Sequence, residues 1–121
     1  MSDILNFTNL IAYQKAHTLV LEIYKITSKF PKTEQFCLVN QIRRAGISVT
    51  SNIAEGFARM TAKDKIHFYG MSRGSLLELQ SQIFIGKDLN YLSTEDYKNT
   101  EEKITEVNKL LLGIIKSAKN Y

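Results

Sequence analysis

The stretch from Gln41 to Gly56 constrains the fold most, because it has the pattern of the middle of a long helix with two different faces. At about 100° per residue, an apolar stripe lies beside a polar stripe. The apolar stripe consists of Leu38, Ile42, Ala45, Val49, Ile53 and Gly56. The polar stripe consists of Gln41, Arg44, Ser48, Asn52, Glu55 and Arg59. A helix with so long an apolar stripe must pack against other elements of the fold.

The polar stripe has two interpretations. A solvated helix face is usually rich in Lys and Glu, whereas this stripe places short Ser and Asn side chains between Arg and Glu. Short side chains let another helix approach, so we favour a buried structural network of hydrogen bonds and ion pairs, with a ligand or nucleic-acid site as the alternative. We assign Arg73 and Glu78 to the same network, because buried carboxylates at Glu55 and Glu78 would each need an arginine. At least one of these two carboxylates should therefore bond to an arginine.

Start and stop signals predict four long helices and no strand. The predicted helices run from Thr8 or Asn9 to about Lys29, from after Thr33 to about Phe57 or Ala58, from Thr61 to about Leu89, and from Ser93 to about Ala118. Pro31 ends the first, because the residue before a proline avoids helical geometry. Capping patterns at residues 61–64 and 93–96 open the third and fourth. Short connections between such helices favour an all-α, antiparallel up-down-up-down bundle in a single domain, residues 1–121.

The predicted helices carry more apolar residues than one bundle can bury. The core stripe of the first is Ala12, Ala16, Leu19, Ile23 and Ile26, and that of the third is Phe68, Ser72, Leu76, Leu79 and Ile83. Outside the core stripes lie Leu10, Tyr13, Val20, Leu21, Tyr24, Phe36, Val39, Ile47, Ala54, Phe57, Ile66, Gly70, Leu77 and Phe84. Because apolar surface of this extent is normally covered, we expect the chain to self-associate.

The formal net charge of +4 is unevenly placed. Residues 41–74 contain six Arg and Lys against two acids, while the rest of the chain has ten of each. Such a region suits an anionic partner, and nucleic acid is the candidate. We expect Arg43, Lys63 and Lys65 to be exposed and to contact phosphates.

The chain has none of the residue patterns of the common enzyme classes. His17 and His67 are not spaced with a glutamate as a di-iron or zinc site requires, and no glycine motif for phosphate binding is present. We therefore expect no catalytic residue, no metal and no cofactor. An enzyme that uses the carboxylates of Glu55 and Glu78 is the least favoured alternative.

Other features suggest a cytoplasmic protein without a membrane partner. The single cysteine, Cys37, leaves no internal disulfide. Apolar runs such as residues 110–115 are too short to cross a bilayer. Residues 1–4 show no basic segment followed by an apolar one, so we expect no secretory signal.

Several separated motifs resemble those of a known bacterial family. These are Gln41-Ile42-Arg43-Arg44-Ala45, Ser48, Ser51-Asn52-Ile53-Ala54-Glu55-Gly56, Tyr13-Gln14-Lys15-Ala16, Phe30-Pro31, Arg73-Gly74-Ser75-Leu76-Leu77-Glu78-Leu79 and Leu89-Asn90-Tyr91-Leu92. In this order they resemble the bacterial four-helix bundle protein family, also called the ribosomal-RNA intervening-sequence protein family. The resemblance covers about residues 10–92.

The resemblance implies a left-handed four-helix bundle that assembles as a ring of five subunits. Such proteins are often encoded inside insertions in large-subunit ribosomal RNA genes. The family is also similar to the accessory protein of diversity-generating retroelements, a basic pentameric barrel that binds nucleic acid and a reverse transcriptase. The implied partners are other copies of the chain, RNA or DNA and, by analogy, a reverse transcriptase. The alternative is a protein-interaction or scaffold ring with no nucleic-acid contact.

Overall fold

The computed structural model describes residues 6–121, which form four α-helices and no strand. The helices are α1 (Ile11–Thr27), α2 (Leu38–Ala58), α3 (Ala62–Asp88) and α4 (Thr94–Ala118). Short 3-10 turns at Phe7–Asn9 and Lys32–Glu34 precede α1 and α2. The prediction of an all-α fold with four helices is confirmed. The expectation for residues 1–4 concerns a segment outside the described residues.

The predicted caps of α3 and α4 are present. The backbone N–H of Asp64 donates to Thr61 Oγ1 at 3.1 Å, and that of Asp96 donates to Ser93 Oγ at 3.0 Å. The predicted start of α2 is wrong by several residues, because the chain after Pro31 first forms a 3-10 turn. Cys37, with φ −119° and ψ −101°, is not helical, so α2 begins only at the next residue.

Each helix packs against two others around a shared core. The neighbours of α1 are α2 and α4, and the neighbours of α3 are also α2 and α4. Between α2 and α3 the side-chain contacts pair Gln41 with Gln82 and Ser48 with Ser75. Between α3 and α4 they pair Arg73 with Asn108 and Gln80 with Glu101. In both interfaces, residue numbers rise along one helix as they fall along the other.

The core lies along the axis between the four helices. Its largest fully buried side chains are Leu19, Ile23, Ile26, Ile42, Val49, Ile53, Leu76, Leu79, Ile83, Thr100, Val107 and Leu111. Each buried aliphatic side chain contributes about 1.5–3 kcal/mol relative to an exposed one. Ser72 is buried among them, and its hydroxyl donates to the carbonyl of Val49 at 2.7 Å, which joins α3 to α2.

Gly86 allows a close approach between elements. A Cβ there would lie 3.2 Å from the Phe30 ring and 3.3 Å from Leu92. Gly70 and Gly74 differ, because a Cβ at either would meet no heavy atom of the described chain within 4 Å. Packing within one chain therefore explains Gly86 but neither of the two glycines on the outer side of α3.

Candidate functional site

Part of the predicted polar network is present at the α2–α3 interface. The hydroxyls of Ser48 and Ser75 lie 2.8 Å apart. Asn52 Nδ2 donates to the carbonyl of Ser48 at 2.9 Å and to its hydroxyl at 3.1 Å. These residues are half-buried, so their short side chains do join two helices as the sequence suggested.

The expectation that one carboxylate bonds to an arginine is confirmed by Glu55. Arg59 Nη2 donates to Glu55 Oε2 at 2.9 Å, one helical turn apart. Both side chains are about half exposed, at 43% and 55%, so the pair is not buried as predicted. A surface pair of this kind stabilises a helix by no more than about 0.5 kcal/mol. The guanidinium of Arg59 also lies 4.5 Å from the centre of the Phe68 ring.

Arg73 and Glu78 do not join this network, contrary to the prediction. Arg73 Nε donates to Asn108 Oδ1 at 2.9 Å and so connects α3 to α4. Glu78 is exposed and has no ion-pair partner within residues 6–121. The two do not pair with each other because residues five apart in a helix point about 140° away from each other.

Arg44 and Glu78 line an open hollow of about 430 Å³ at the α2–α3 interface. The remaining lining residues are Asn40, Gln41, Ala45 and Ser48. Arg44 is exposed and, in the part of the chain that the structure describes, forms no ion pair. Gln41 makes only a long contact, 3.5 Å, from Gln82. The predicted structural roles of Arg44 and Gln41 are therefore not fulfilled inside one chain.

Lys65 is not exposed, contrary to the expectation for a phosphate contact. Only 8% of it is accessible, and its Nζ donates to the backbone carbonyls of Phe57 at 2.8 Å and Gly56 at 3.3 Å. Both carbonyls belong to the last turn of α2, where carbonyls lack helical i+4 partners, although that of Gly56 also accepts the backbone N–H of Arg59 at 3.2 Å. The Tyr121 ring lies 4.5 Å from the same ammonium. Burial lowers the pKa of Lys65 from its ordinary value.

Arg43 is only partly available to a ligand. Its Nε donates to Thr27 Oγ1 at 2.9 Å, its Nη2 donates to the carbonyl of Tyr24 at 3.3 Å, and its guanidinium lies 4.5 Å from the centre of the Tyr24 ring. Lys63 is exposed. Because most of α2 separates Arg43 from Lys63, roughly 20 Å at 1.5 Å per residue, the three predicted residues do not form one site.

The outer side of α3 has an exposed stripe without charged residues. Its members, at alternating spacings of four and three residues, are Gly70, Gly74, Leu77, Ser81 and Phe84. Leu77 and Phe84 are each 50% exposed. We call this set the α3 stripe. The sequence indicated surplus apolar residues in this helix. Only the structure shows that the two glycines in the stripe border open space.

The described residues contain no cluster of three or more His, Cys, Asp or Glu that could hold a metal ion. His17 stacks on Tyr13 with ring centres 6.0 Å apart, and His67 lies edge-on to Phe68 at 5.2 Å. Among residues 6–121, no helix combines the length and the apolar character that crossing a membrane requires.

Fold and motifs together define an all-helical protein with four helices and a polar α2–α3 interface. Residues 8–113 match the family described as 23S rRNA-intervening sequence protein, and the chain belongs to this family. The resemblance inferred from the sequence motifs is thereby confirmed.

A solved structure from Bacteroides thetaiotaomicron, described as a protein with unknown function from the S23 ribosomal protein family, is similar to this chain. Its TM-score is 0.80 at 24% sequence identity, and the match covers 88% of this chain and 96% of that one. At this identity the likeness supports the fold alone. No curated protein matches the chain.

Proposed function

We propose that this protein is a non-enzymatic, antiparallel up-down-up-down bundle that assembles with copies of itself and binds RNA or DNA through a basic surface. The opposite running of the contacts between α2 and α3 and between α3 and α4 supports the antiparallel order. The short connections after α2 and α3, at residues 59–61 and 89–93, favour the same topology.

The proposal that the chain self-assembles rests on one observation, the exposed α3 stripe. A glycine inside a helix costs roughly 1 kcal/mol relative to alanine, and neither Gly70 nor Gly74 recovers this by packing within its own chain. Exposed Leu77 and Phe84 continue the same stripe. Small residues beside large apolar ones at these spacings are typical of a face on which another helix packs closely.

The outer side of α4 is rich in charged residues, unlike that of α3, and this favours α3 as the face that contacts another copy. Exposed residues of α4 include Glu95, Lys98, Glu102, Glu106, Lys109 and Lys116. From Phe68 to Ile85, by comparison, Glu78 is the one exposed charged residue of α3. Charged residues are depleted at the centres of subunit interfaces, so α4 suits solvent and α3 suits a contact between copies.

Arg44 and Glu78 fit the same arrangement. Both line the α2–α3 hollow beside the α3 stripe and lack ion-pair partners among the described residues. We propose that their partners come from a neighbouring copy, which would complete the predicted polar network between subunits. The family resemblance sets the expected size of the assembly at five subunits.

Changing both Leu77 and Phe84 to glutamate should convert the assembly to single subunits. The two carboxylates on each chain would otherwise be brought into an apolar contact, which is strongly unfavourable. The molar mass in solution, measured by light scattering after size-exclusion chromatography, should fall to that of one chain of 13.8 kDa. Leu112→Glu is the matched control, because Leu112 is 45% exposed but lies on the charged side of α4.

The control should keep the mass of the wild-type assembly, and circular dichroism should show that all variants remain helical. A wild-type chain that is already a monomer would refute the proposal. So would an assembly that survives the double substitution at the α3 stripe.

Nucleic-acid binding is the proposed activity of the assembly, with Lys63 and Arg43 as candidate contacts. The wild-type protein should be retained on immobilised RNA or DNA at low salt, and retention should collapse at moderate salt because counterions compete for the phosphates. Lys63→Ala combined with Arg43→Ala should weaken retention. Absence of retention even at low salt would favour the second candidate, a ring that binds other proteins. A reverse transcriptase is a candidate partner by the family analogy.

A further inference from the structure

The folded chain concentrates its positive charge in one half of its length. Each helix can be divided near its middle, and antiparallel packing then collects residues 6–19, 48–75 and 106–121 in one half. This half, called the basic half, has eight basic and three acidic residues, a formal net charge of +5. The neutral half, residues 20–47 and 76–105, has eight basic and eight acidic residues. The sequence region predicted to be basic is thus split, with Arg43 and Arg44 in the neutral half.

The three acids of the basic half leave a surplus of exposed positive charge. Glu55 is bonded to Arg59, and Glu106 lies 3.9 Å from Lys15, so each offsets one cation of this half, and the third acid, Asp64, is exposed next to Lys63 in the sequence. Lys63, Lys116 and Lys119 are exposed and have no ion-pair partner within residues 6–121. They come from the start of α3 and the end of α4, which are adjacent because these helices pack with opposite directions.

A favourable interaction with the helix dipole explains the positions of two of these three lysines. Lys116 and Lys119 are at the C-terminal end of α4, where the helix dipole favours cations. Lys63 is in the first turn of α3, where the dipole favours anions. The Lys63 charge is therefore unfavourable for α3 itself, which points to a role in binding a partner outside the chain.

Aromatic rings lie among these cations. Tyr121 is 69% exposed, and its ring covers the Lys65 ammonium at 4.5 Å. Phe68 is half-buried under the Arg59 guanidinium, with the exposed ring of His67 beside it. Basic side chains that contact phosphates, together with exposed rings on which bases stack, are the combination that single-stranded nucleic acids require.

We infer that the basic half is the nucleic-acid surface of this protein and that it takes a single strand, whose phosphates contact Lys63, Lys116 and Lys119 and one of whose unpaired bases stacks on Tyr121. This inference rests on the proposed nucleic-acid function and gives it a location and a class of ligand. The phosphodiester chemistry is shared by RNA and DNA. The duplex form is the competing ligand in the test.

The test compares two triple variants that remove equal charge from opposite halves. The first carries Lys63→Gln, Lys116→Gln and Lys119→Gln. The matched control carries Lys25→Gln, Lys32→Gln and Lys98→Gln, three exposed lysines of the neutral half. Fluorescence anisotropy measures binding to a labelled RNA of about 20 nucleotides, to DNA of the same sequence and to the DNA duplex, across a range of salt. Circular dichroism and light scattering verify that fold and assembly are retained.

The basic-half variant should bind the single strands at least tenfold more weakly. Loss of three phosphate contacts should also reduce the slope of log affinity against log salt by about 2, since each contact on a single strand contributes about 0.7. The control should stay within about twofold of wild type. Tyr121→Ala should weaken single-strand binding about fivefold without changing the salt slope, because stacking involves no counterion release.

Each contrary result is distinguishable. Equal losses in both triple variants would refute the location but leave the proposed nucleic-acid function standing. Tighter binding of the duplex than of either single strand would refute the class of ligand. Failure of the wild-type protein to bind any of the three probes at low salt would overturn the proposed nucleic-acid function and this inference together.

Discussion

Replacing Gly56 by alanine should lower the free energy of unfolding by about 2–3 kcal/mol, although the same substitution at an open helical site is normally stabilising. A Cβ at Gly56 would lie 2.6 Å and 2.7 Å from two carbons of the Tyr69 ring and 3.2 Å from Phe68 Cβ. The Tyr69 ring is 4% exposed and belongs to the core, so it cannot move aside without disturbing other packed side chains. Denaturant unfolding followed by circular dichroism measures the change.

Gly113→Ala is the matched control for this substitution. A Cβ at Gly113, in the interior of α4, would meet no heavy atom of the described chain within 4 Å. We therefore expect a gain of about 0.5–1 kcal/mol from helix propensity alone. If steric overlap is the cause at Gly56, the alanine should cost much less in a chain that also carries Tyr69→Leu. An equal cost in both backgrounds would contradict the explanation.

The sequence predicted α3 and α4 well because their boundaries depend on local chemistry. Hydroxyl side chains at Thr61 and Ser93 accept a bond from a backbone N–H three residues later, and this requires no knowledge of the rest of the fold. The start of α2 was predicted less well, because Pro31 restricts its neighbour but does not determine the turn that follows. The bend at Cys37 had no counterpart in the sequence signals.

The error at Lys65 came from the phase of one helix. The sequence placed Phe68 on the core stripe of α3, whereas the buried residues are Lys65, Tyr69, Ser72, Leu76, Leu79, Ile83 and Gly86. Extended back by one turn from Tyr69, the regular spacing of four and three residues reaches Lys65. This spacing was visible in the sequence. A lysine on an apolar stripe is nevertheless interpreted as the end of that stripe unless a partner for its ammonium is known.

The polar stripe of α2 could be predicted as a pattern but not as a set of bonds. Ser48 and Asn52 bond as expected because their partners are on the same or the adjacent helix. The bonding of Arg73 depends on which face of α3 meets α4, and one helix pattern does not contain this information. The basic half likewise emerges only when the ends of different helices are placed together.

Lys65→Met should lower the free energy of unfolding by about 1–3 kcal/mol at neutral pH, because the carbonyls of Gly56 and Phe57 lose a buried donor that methionine cannot replace. Methionine keeps most of the apolar volume of the lysine stem, so the loss would report the hydrogen bonds rather than a cavity. Lys63→Met is the matched control. It changes an exposed lysine two residues away and should alter stability by no more than about 0.5 kcal/mol.

The pH dependence of the same variant tests the cause separately. Because burial lowers the pKa of Lys65 below its ordinary value of 10.5, the folded chain releases this proton at a lower pH than the unfolded chain does. Between the two pKa values the unfolded state binds more protons, so the contribution of Lys65 to stability rises with pH until 10.5 is passed. Burial also raises the pKa of Tyr69, and this makes stability fall as the pH rises. Both proteins contain this tyrosine, so its effect cancels when their free energies of unfolding are subtracted. The gap between wild type and Lys65→Met should therefore widen as the pH rises through the lowered pKa of Lys65 toward 10.5. A gap that stays constant would mean that the ammonium is not desolvated, and a variant as stable as wild type would show that α2 does not need this lysine at its end.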